Sequence, residues 1–186
     1  MSSHHIVREN QEPALVVEDF QALSEEYLGQ ILEWSPTIIT NEENFDYFLA
    51  QDIKLDVLYS NRIVDNQEET KQLIPKSNFV EDSLQYLIDS NYKAVNVLAK
   101  ERSTIYLDFA KRINVVVFSE GIRYVTVQSS YEKWKIKGQS MFIDTSILKS
   151  FNGLQFIEGN IFEVEQDGFV TLEMNSNNFV FVGEEI

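Results

Sequence analysis

The feature that most constrains this chain is a change of texture near residue 120. Upstream, short apolar runs alternate with stretches of helical spacing. The runs are Ala14-Leu15-Val16-Val17, Thr37-Ile38-Ile39-Thr40, Leu55-Asp56-Val57-Leu58-Tyr59, Ala94-Val95-Asn96-Val97-Leu98 and Ile113 to Phe118. Compact runs of this kind read as buried strands. Leu28, Ile31 and Leu32 recur at helical spacing behind Ser24-Glu25-Glu26, an N-cap with acids in the first turn. Ser35-Pro36 ends that helix, because the residue before a proline is pushed out of helical geometry. Phe45, Phe48 and Leu49 mark a second helix, Phe79, Leu84, Leu87 and Ile88 a third, and residues 102–111 a further one. Strands alternating with helices imply a parallel sheet with crossover helices. The polar residues 60–72 read as an exposed loop.

Downstream, short β-rich runs follow one another: Arg123 to Gln128, Tyr131 to Ile136, Met141 to Thr145, Leu154 to Ile157, Ile161 to Val164, Phe169 to Met174 and Phe179 to Val182. Gly121, Gly138, Gly153 and Gly168 punctuate them. Such spacing reads as an antiparallel sandwich or barrel. The expected fold class is therefore α/β. A Rossmann-like parallel-sheet domain spans residues 13–120, a smaller all-β sandwich domain spans 121–186, and residues 1–12 form a disordered N-terminus.

Composition removes several function classes. The chain carries 30 acidic against 15 basic residues, a formal net charge of -15. That field repels phosphate backbones, so no nucleic-acid partner is expected. With no cysteine, disulfides, thiolate zinc sites and cysteine nucleophiles are excluded. The only histidines, His4 and His5, sit at the N-terminus, which rules out a catalytic histidine. They read as part of the disordered end rather than as a metal site. No apolar run is long enough to span a bilayer, and Met1-Ser2-Ser3-His4-His5 has no apolar signal region. The expectation is a cytoplasmic protein without a membrane partner. There is no Gly-x-x-x-x-Gly-Lys loop, no Gly-x-Gly-x-x-Gly after the first strand and no serine nucleophile elbow.

Several segments resemble bacterial thiamine pyrophosphokinases. They are Ser24 to Pro36, Ile53-Lys54-Leu55-Asp56-Val57-Leu58, Tyr86-Leu87-Ile88, Ala94-Val95-Asn96-Val97, Glu132-Lys133-Trp134, Lys137-Gly138 and Asp167 to Glu173. The resemblance runs in order along most of the chain and rests mainly on scaffold residues. It implies a protein related to enzymes that transfer a pyrophosphoryl group from ATP to the hydroxyl of thiamine, using magnesium held by carboxylates. It also implies a homodimer, with the thiamine site shared between the α/β domain of one chain and the β domain of the other.

The family's functional positions fall here on residues unfit for that chemistry. Its Asp-Gly after the second strand falls on Asn41 and Glu42. Its Gly-Asp-x-Asp after the third strand falls on Ser60, Asn61, Arg62 and Ile63. Its Gln-x-x-x-Asp falls on Pro75 and Phe79, and its Asp-His loop is shortened around Lys100 to Thr104. Asparagine can ligate magnesium through its carbonyl but adds no charge, and Ile63 and Phe79 cannot ligate at all. Asn41, Asn61, Ile63 and Phe79 are thus degenerate metal positions, and no metal ligand is assigned. In the β domain, the thiamine-contacting positions fall near Asn160 and Phe162.

Glu42, Ser60, Arg62, Trp134, Asn160 and Phe162 are the candidate ligand-binding residues. For Glu42, Arg62 and Trp134, and for several residues near them, there is a plainer reading. Glu42 and Glu43 would fill the first turn of a helix. Arg62, Lys71 and Lys76 would be solvated loop charges, Trp134 buried packing, and Asp56 a loop-bonding residue inside its strand. Phe45, Tyr47, Phe48 and Tyr59 would be core rather than a pocket wall. Three functions stay open. One is a catalytically degenerate homolog that binds a ligand such as thiamine or a nucleotide, or regulates. The second is an active thiamine diphosphokinase, or a related pyrophosphotransferase, with a rearranged metal site. The third is a structural or partner-binding module with no ligand. No cofactor is expected, with magnesium and ATP entering only if the family's activity is retained.

Overall fold

A computed structural model describes residues 12–34, 36–65 and 67–186. His4, His5 and nearly all of the expected disordered segment lie outside the described residues. The first half contributes β1 (Ala14–Val17), α1 (Glu25–Leu32), β2 (Ile38–Asn41), α2 (Phe45–Ala50), β3 (Val57–Tyr59), β4 (Lys71–Leu73), α3 (Phe79–Asp89), β5 (Ala94–Leu98), α4 (Ile105–Phe109) and β6 (Asn114–Ser119). The second half contributes β7 (Ile122–Gln128), β8 (Ser130–Lys135), β9 (Ser140–Phe142), β10 (Leu148–Asn152), β11 (Leu154–Glu158), β12 (Ile161–Val164), β13 (Gly168–Met174) and β14 (Phe179–Glu185).

Six strands run parallel in the order β4-β3-β2-β1-β5-β6. Strand β1 shows why its sequence is an unbroken apolar run. Ala14 and Val16 enter the core that also holds Leu84 and Leu87 of α3, while Leu15 and Val17 enter the opposite core beneath Leu28 of α1 and Phe48 of α2. A strand covered on both faces has no solvent side to make polar. The helix starts follow the expected chemistry. Ser24 Oγ accepts from the Tyr27 N–H at 3.3 Å. Asn78 Oδ1 accepts from the Glu81 N–H at 2.9 Å. Each satisfies an amide left unpaired by the first helical turn. Among the described residues, no helix is long and apolar enough to cross a membrane.

The second half packs as two antiparallel layers, and the larger layer is continuous with the parallel sheet. Glu120 and Gly121 both take positive φ, 54° and 74°, and join Ser119 directly to its partner Ile122. A two-residue turn with both central residues left-handed forms a tight hairpin. It makes β7 the antiparallel neighbour of β6, so the sheet continues without a gap. Eleven strands result, in the order β11-β12-β9-β14-β7-β6-β5-β1-β2-β3-β4. A second sheet, β10-β13-β8, supplies the other layer. Between the two layers lies a third core built from Tyr131, Met141, Phe162, Val170, Leu172 and Val182 among others. The change of texture at residue 120 therefore marks a switch from parallel to antiparallel pairing within one sheet.

Two strands went unforeseen in the sequence. Lys71–Leu73 lies at the end of the expected 60–72 loop, yet it pairs in parallel with β3 as an edge strand. Its polar side chains conceal it, since edge positions need no apolar face. Leu148–Asn152 pairs with β13 through a register shift between Leu148 and Ser150, and such an irregularity breaks the alternating pattern.

Candidate functional site at the ends of the parallel strands

Parallel strands bring all their C-terminal ends to one edge of the sheet. Ligands of open α/β sheets bind there, where the strand order reverses. The reversal here lies between β1 and β5, because β2 to β4 extend one way and β5 and β6 the other. To one side of that reversal, at the ends of β2 and β3, opens a pocket of about 430 Å³. Asn41, Glu42 and Glu43 line it from the loop after β2, and Ser60, Asn61 and Arg62 from the loop after β3. Tyr59 and Pro75 complete the wall.

This pocket gathers Asn41, Asn61, Glu42, Ser60 and Arg62, five residues singled out from sequence. It does not gather Ile63, which is 98% exposed and outside the lining. Phe79 reaches the wall only indirectly, edge-on to Tyr59 with centroids 5.8 Å apart. Burial, reinforced by the charge of Asp82, pushes the Tyr59 phenol up to about 12.

Asn41, Glu42, Glu43, Ser60 and Arg62 are engaged by their own chain. The Glu42 carboxylate pairs with the Arg62 guanidinium, and its Oε2 accepts from Ser60 Oγ at 2.9 Å. Glu43 pairs with Lys100 Nζ at 2.7 Å, and that bond holds the Lys100 ammonium above its ordinary range. The Lys100 backbone N–H donates to Glu18 Oε2 at 3.1 Å. Asn41 Oδ1 accepts from the Asn44 side chain at 2.7 Å and from the Asn44 N–H at 3.2 Å. Asn44, which is buried, also donates to the Glu18 carbonyl at 2.9 Å. Glu18, Asn44 and Lys100 thus stitch the loops after β1, β2 and β5 together. Sequence reasoning missed this role, because the three lie far apart in the chain.

Glu42 and Glu43 precede α2 rather than fill its first turn, which starts at Phe45. Asp56 braces the fold as its plainer reading held: Oδ2 accepts from the Ile38 N–H at 2.8 Å. Phe45, Phe48 and Tyr59 are buried, and Tyr47 stacks on Phe20 at 4.1 Å. Among the described residues, no three His, Asp or Glu side chains are grouped closely enough to hold a metal ion.

The β-rich candidates lie elsewhere. Phe162 is 1% exposed and holds the third core, edge-on to Phe151 and Phe156 at 5.3 and 5.5 Å; its side chain is not a surface contact. Asn160 is exposed in the turn between β11 and β12, where its carbonyl accepts from the Ile143 N–H at 2.8 Å. Trp134 is exposed, not buried packing; it meets Phe169 edge-on at 5.6 Å.

A second charged cluster was invisible in the sequence. Glu184 is 4% exposed. Its Oε2 lies 3.2 Å from Arg123, 2.6 Å from Lys133 and 3.0 Å from Lys135. Its Oε1 accepts from the Tyr131 hydroxyl at 2.7 Å. Burial alone would raise the carboxyl, but the bonds from Lys133, Tyr131 and Lys135 outweigh it and hold it at about 2.

This architecture has close counterparts among solved structures. A probable thiamine pyrophosphokinase from Staphylococcus saprophyticus superposes with TM-score 0.64 at 11% identity, covering 94% of this chain and 100% of its own. The yeast enzyme superposes with TM-score 0.63 at 9% identity, covering 95% and 87%. The Bacillus subtilis thiamine pyrophosphokinase gives 0.61 at 10%, covering 92% and 97%. The fold is that of the thiamine pyrophosphokinases. No family model matches the chain, and neither does any curated protein sequence. At these identities the likeness to thiamine pyrophosphokinases is a likeness of fold, and function must be argued from the site.

Proposed function

We propose that this protein is a catalytically degenerate relative of the thiamine pyrophosphokinases that binds a ligand without turning it over. The observation that carries the reading is the fate of the carboxylates in the strand-end pocket. Glu42 pairs with Arg62 and Glu43 with Lys100. A divalent cation needs several anionic or carbonyl oxygens free to converge on it. The oxygen of Asn41 is taken by Asn44, Asn61 offers a carbonyl without charge, and Ile63 lies outside the pocket. Magnesium does not fit this donor set, so no phosphoryl-transfer step is assigned. Arg62 lines the pocket, whose volume of about 430 Å³ suits a small molecule. Thiamine and a nucleotide remain the ligands the fold suggests. A homodimer is part of the proposal, since the related fold would complete its ligand site across two chains.

The test combines two measurements on the full chain. A coupled assay for AMP release, with ATP, magnesium and thiamine, is expected to give no thiamine-dependent signal. Calorimetry with thiamine and with ATP is expected to show binding of at least one. Robust thiamine-dependent AMP release would overturn the degenerate reading in favour of an active enzyme. Absence of binding to either would leave a structural module.

A further inference from the structure

A second pocket of about 450 Å³ lies away from the strand-end site. Its position follows from the sheet register. Leu15, Asn96, Val116 and Val125 are aligned across β1, β5, β6 and β7, so their side chains share one face. On that face Leu15 packs in the core beneath α1, and Val125 packs against the core beneath the three-stranded sheet. The two covering layers leave a trough over β5 and β6. Tyr27, Ile31 and Trp34 form one wall, Asn96 and Phe118 contribute to the floor, and Arg123 closes an end. Trp34 is 70% exposed, a large apolar surface left in water beside a cavity.

Arg123 belongs also to the Glu184 cluster. There three cations face one carboxylate, which leaves two positive charges unmatched. Lys135 is 8% exposed in its side chain, so part of that surplus is held away from water. Partly buried charge without a counter-ion is costly, and a second anion would relieve it. The accessible member is Arg123, whose planar guanidinium carries more donors than the single Nη1 bond to Glu184 uses. Glu12 is the one acidic side chain on the pocket wall.

We propose that this trough binds a small amphipathic anion, with a flat apolar body against Trp34, Tyr27 and Phe118 and one carboxylate or phosphate on Arg123. Mainly apolar walls with a few convergent polar groups are the usual composition of a small-ligand site. The surplus cations of the Glu184 cluster set the sign of that group against the negative field of the chain. The site is separate from the strand-end pocket and does not depend on what binds there.

Calorimetry of the full chain with 1-naphthoate, and with 1-naphthylmethanol as its neutral twin, tests this directly. Naphthoate is expected to bind one per chain, at least about tenfold more tightly than the alcohol, as a charge-assisted bond implies. Arg123→Gln should erase that preference while leaving the alcohol unchanged. Trp34→Ala, at an exposed side chain that the fold does not need, should weaken both ligands several-fold. Equal affinity of the wild-type chain for the two twins would overturn the proposal without any variant having to fold. No naphthoate binding at millimolar concentration would overturn it too, as would a preference that survives Arg123→Gln or an affinity indifferent to Trp34→Ala.

Discussion

Replacing Glu184 by glutamine removes the one negative charge facing Arg123, Lys133 and Lys135 and changes almost nothing else in shape. Two routes give the size of the effect. A carboxyl held from its ordinary 4.5 down to about 2 contributes roughly 3 kcal/mol of stability once ionised. Breaking a buried ion pair by removing one partner costs about 3–5 kcal/mol, because it leaves the other charge uncompensated. Both point to a loss of about 3 kcal/mol or more, which lowers the melting temperature of a chain this size by roughly 10 °C. Scanning calorimetry and urea unfolding at pH 7 measure it. The pH dependence gives a second handle. A carboxyl whose folded value is depressed contributes fully above about 4.5 and loses that contribution as pH falls towards 2. The wild-type chain should lose this increment across that window, and Glu184→Gln should lack it. Adding Lys135→Met to Glu184→Gln removes the most buried unpaired cation and should recover at least about 1 kcal/mol. A variant within about 2 °C of wild type, or one with an unchanged acid titration, would refute the idea that this carboxylate anchors β7, β8 and β14.

Four smaller perturbations follow from local geometry. Gly183→Ala places a Cβ 2.8 Å from Phe142 Cβ and 2.8 Å from Tyr124 Cε1; overpacking of this kind should cost about 1–3 kcal/mol in urea unfolding. Asn78→Ala removes the acceptor for the Glu81 N–H and should cost about 1 kcal/mol by the same measurement. Asp56→Ala leaves the Ile38 N–H without its carboxylate partner and should cost about 1–3 kcal/mol, whereas Ile63→Asp, at a side chain 98% exposed, should change stability by less than about 0.5 kcal/mol.

The sequence by itself determined the elements and their class. Strands such as Ala94–Leu98 and helices such as Phe79–Asp89 emerge where apolar spacing placed them. Both signals are local, because a strand buried on two faces and a helix buried on one must write their burial into nearby residues. The resemblance to the thiamine pyrophosphokinases singled out Asn41, Glu42, Ser60, Asn61 and Arg62, and they meet because the ends of successive parallel strands share one edge. Only the tertiary structure decided three things. The hairpin at Glu120-Gly121 fuses the two halves into one sheet, and the sequence shows a turn there without showing which strands it joins. The carboxylates of Glu42 and Glu43 pair with Arg62 and Lys100, the second pair 57 residues apart. Glu184 meets Arg123, Lys133 and Lys135 across separations of about 50–60 residues. Contacts between distant segments leave no periodicity to read. Whether a charge is free to hold a ligand or already spent on its own chain is therefore settled only when those segments are brought together.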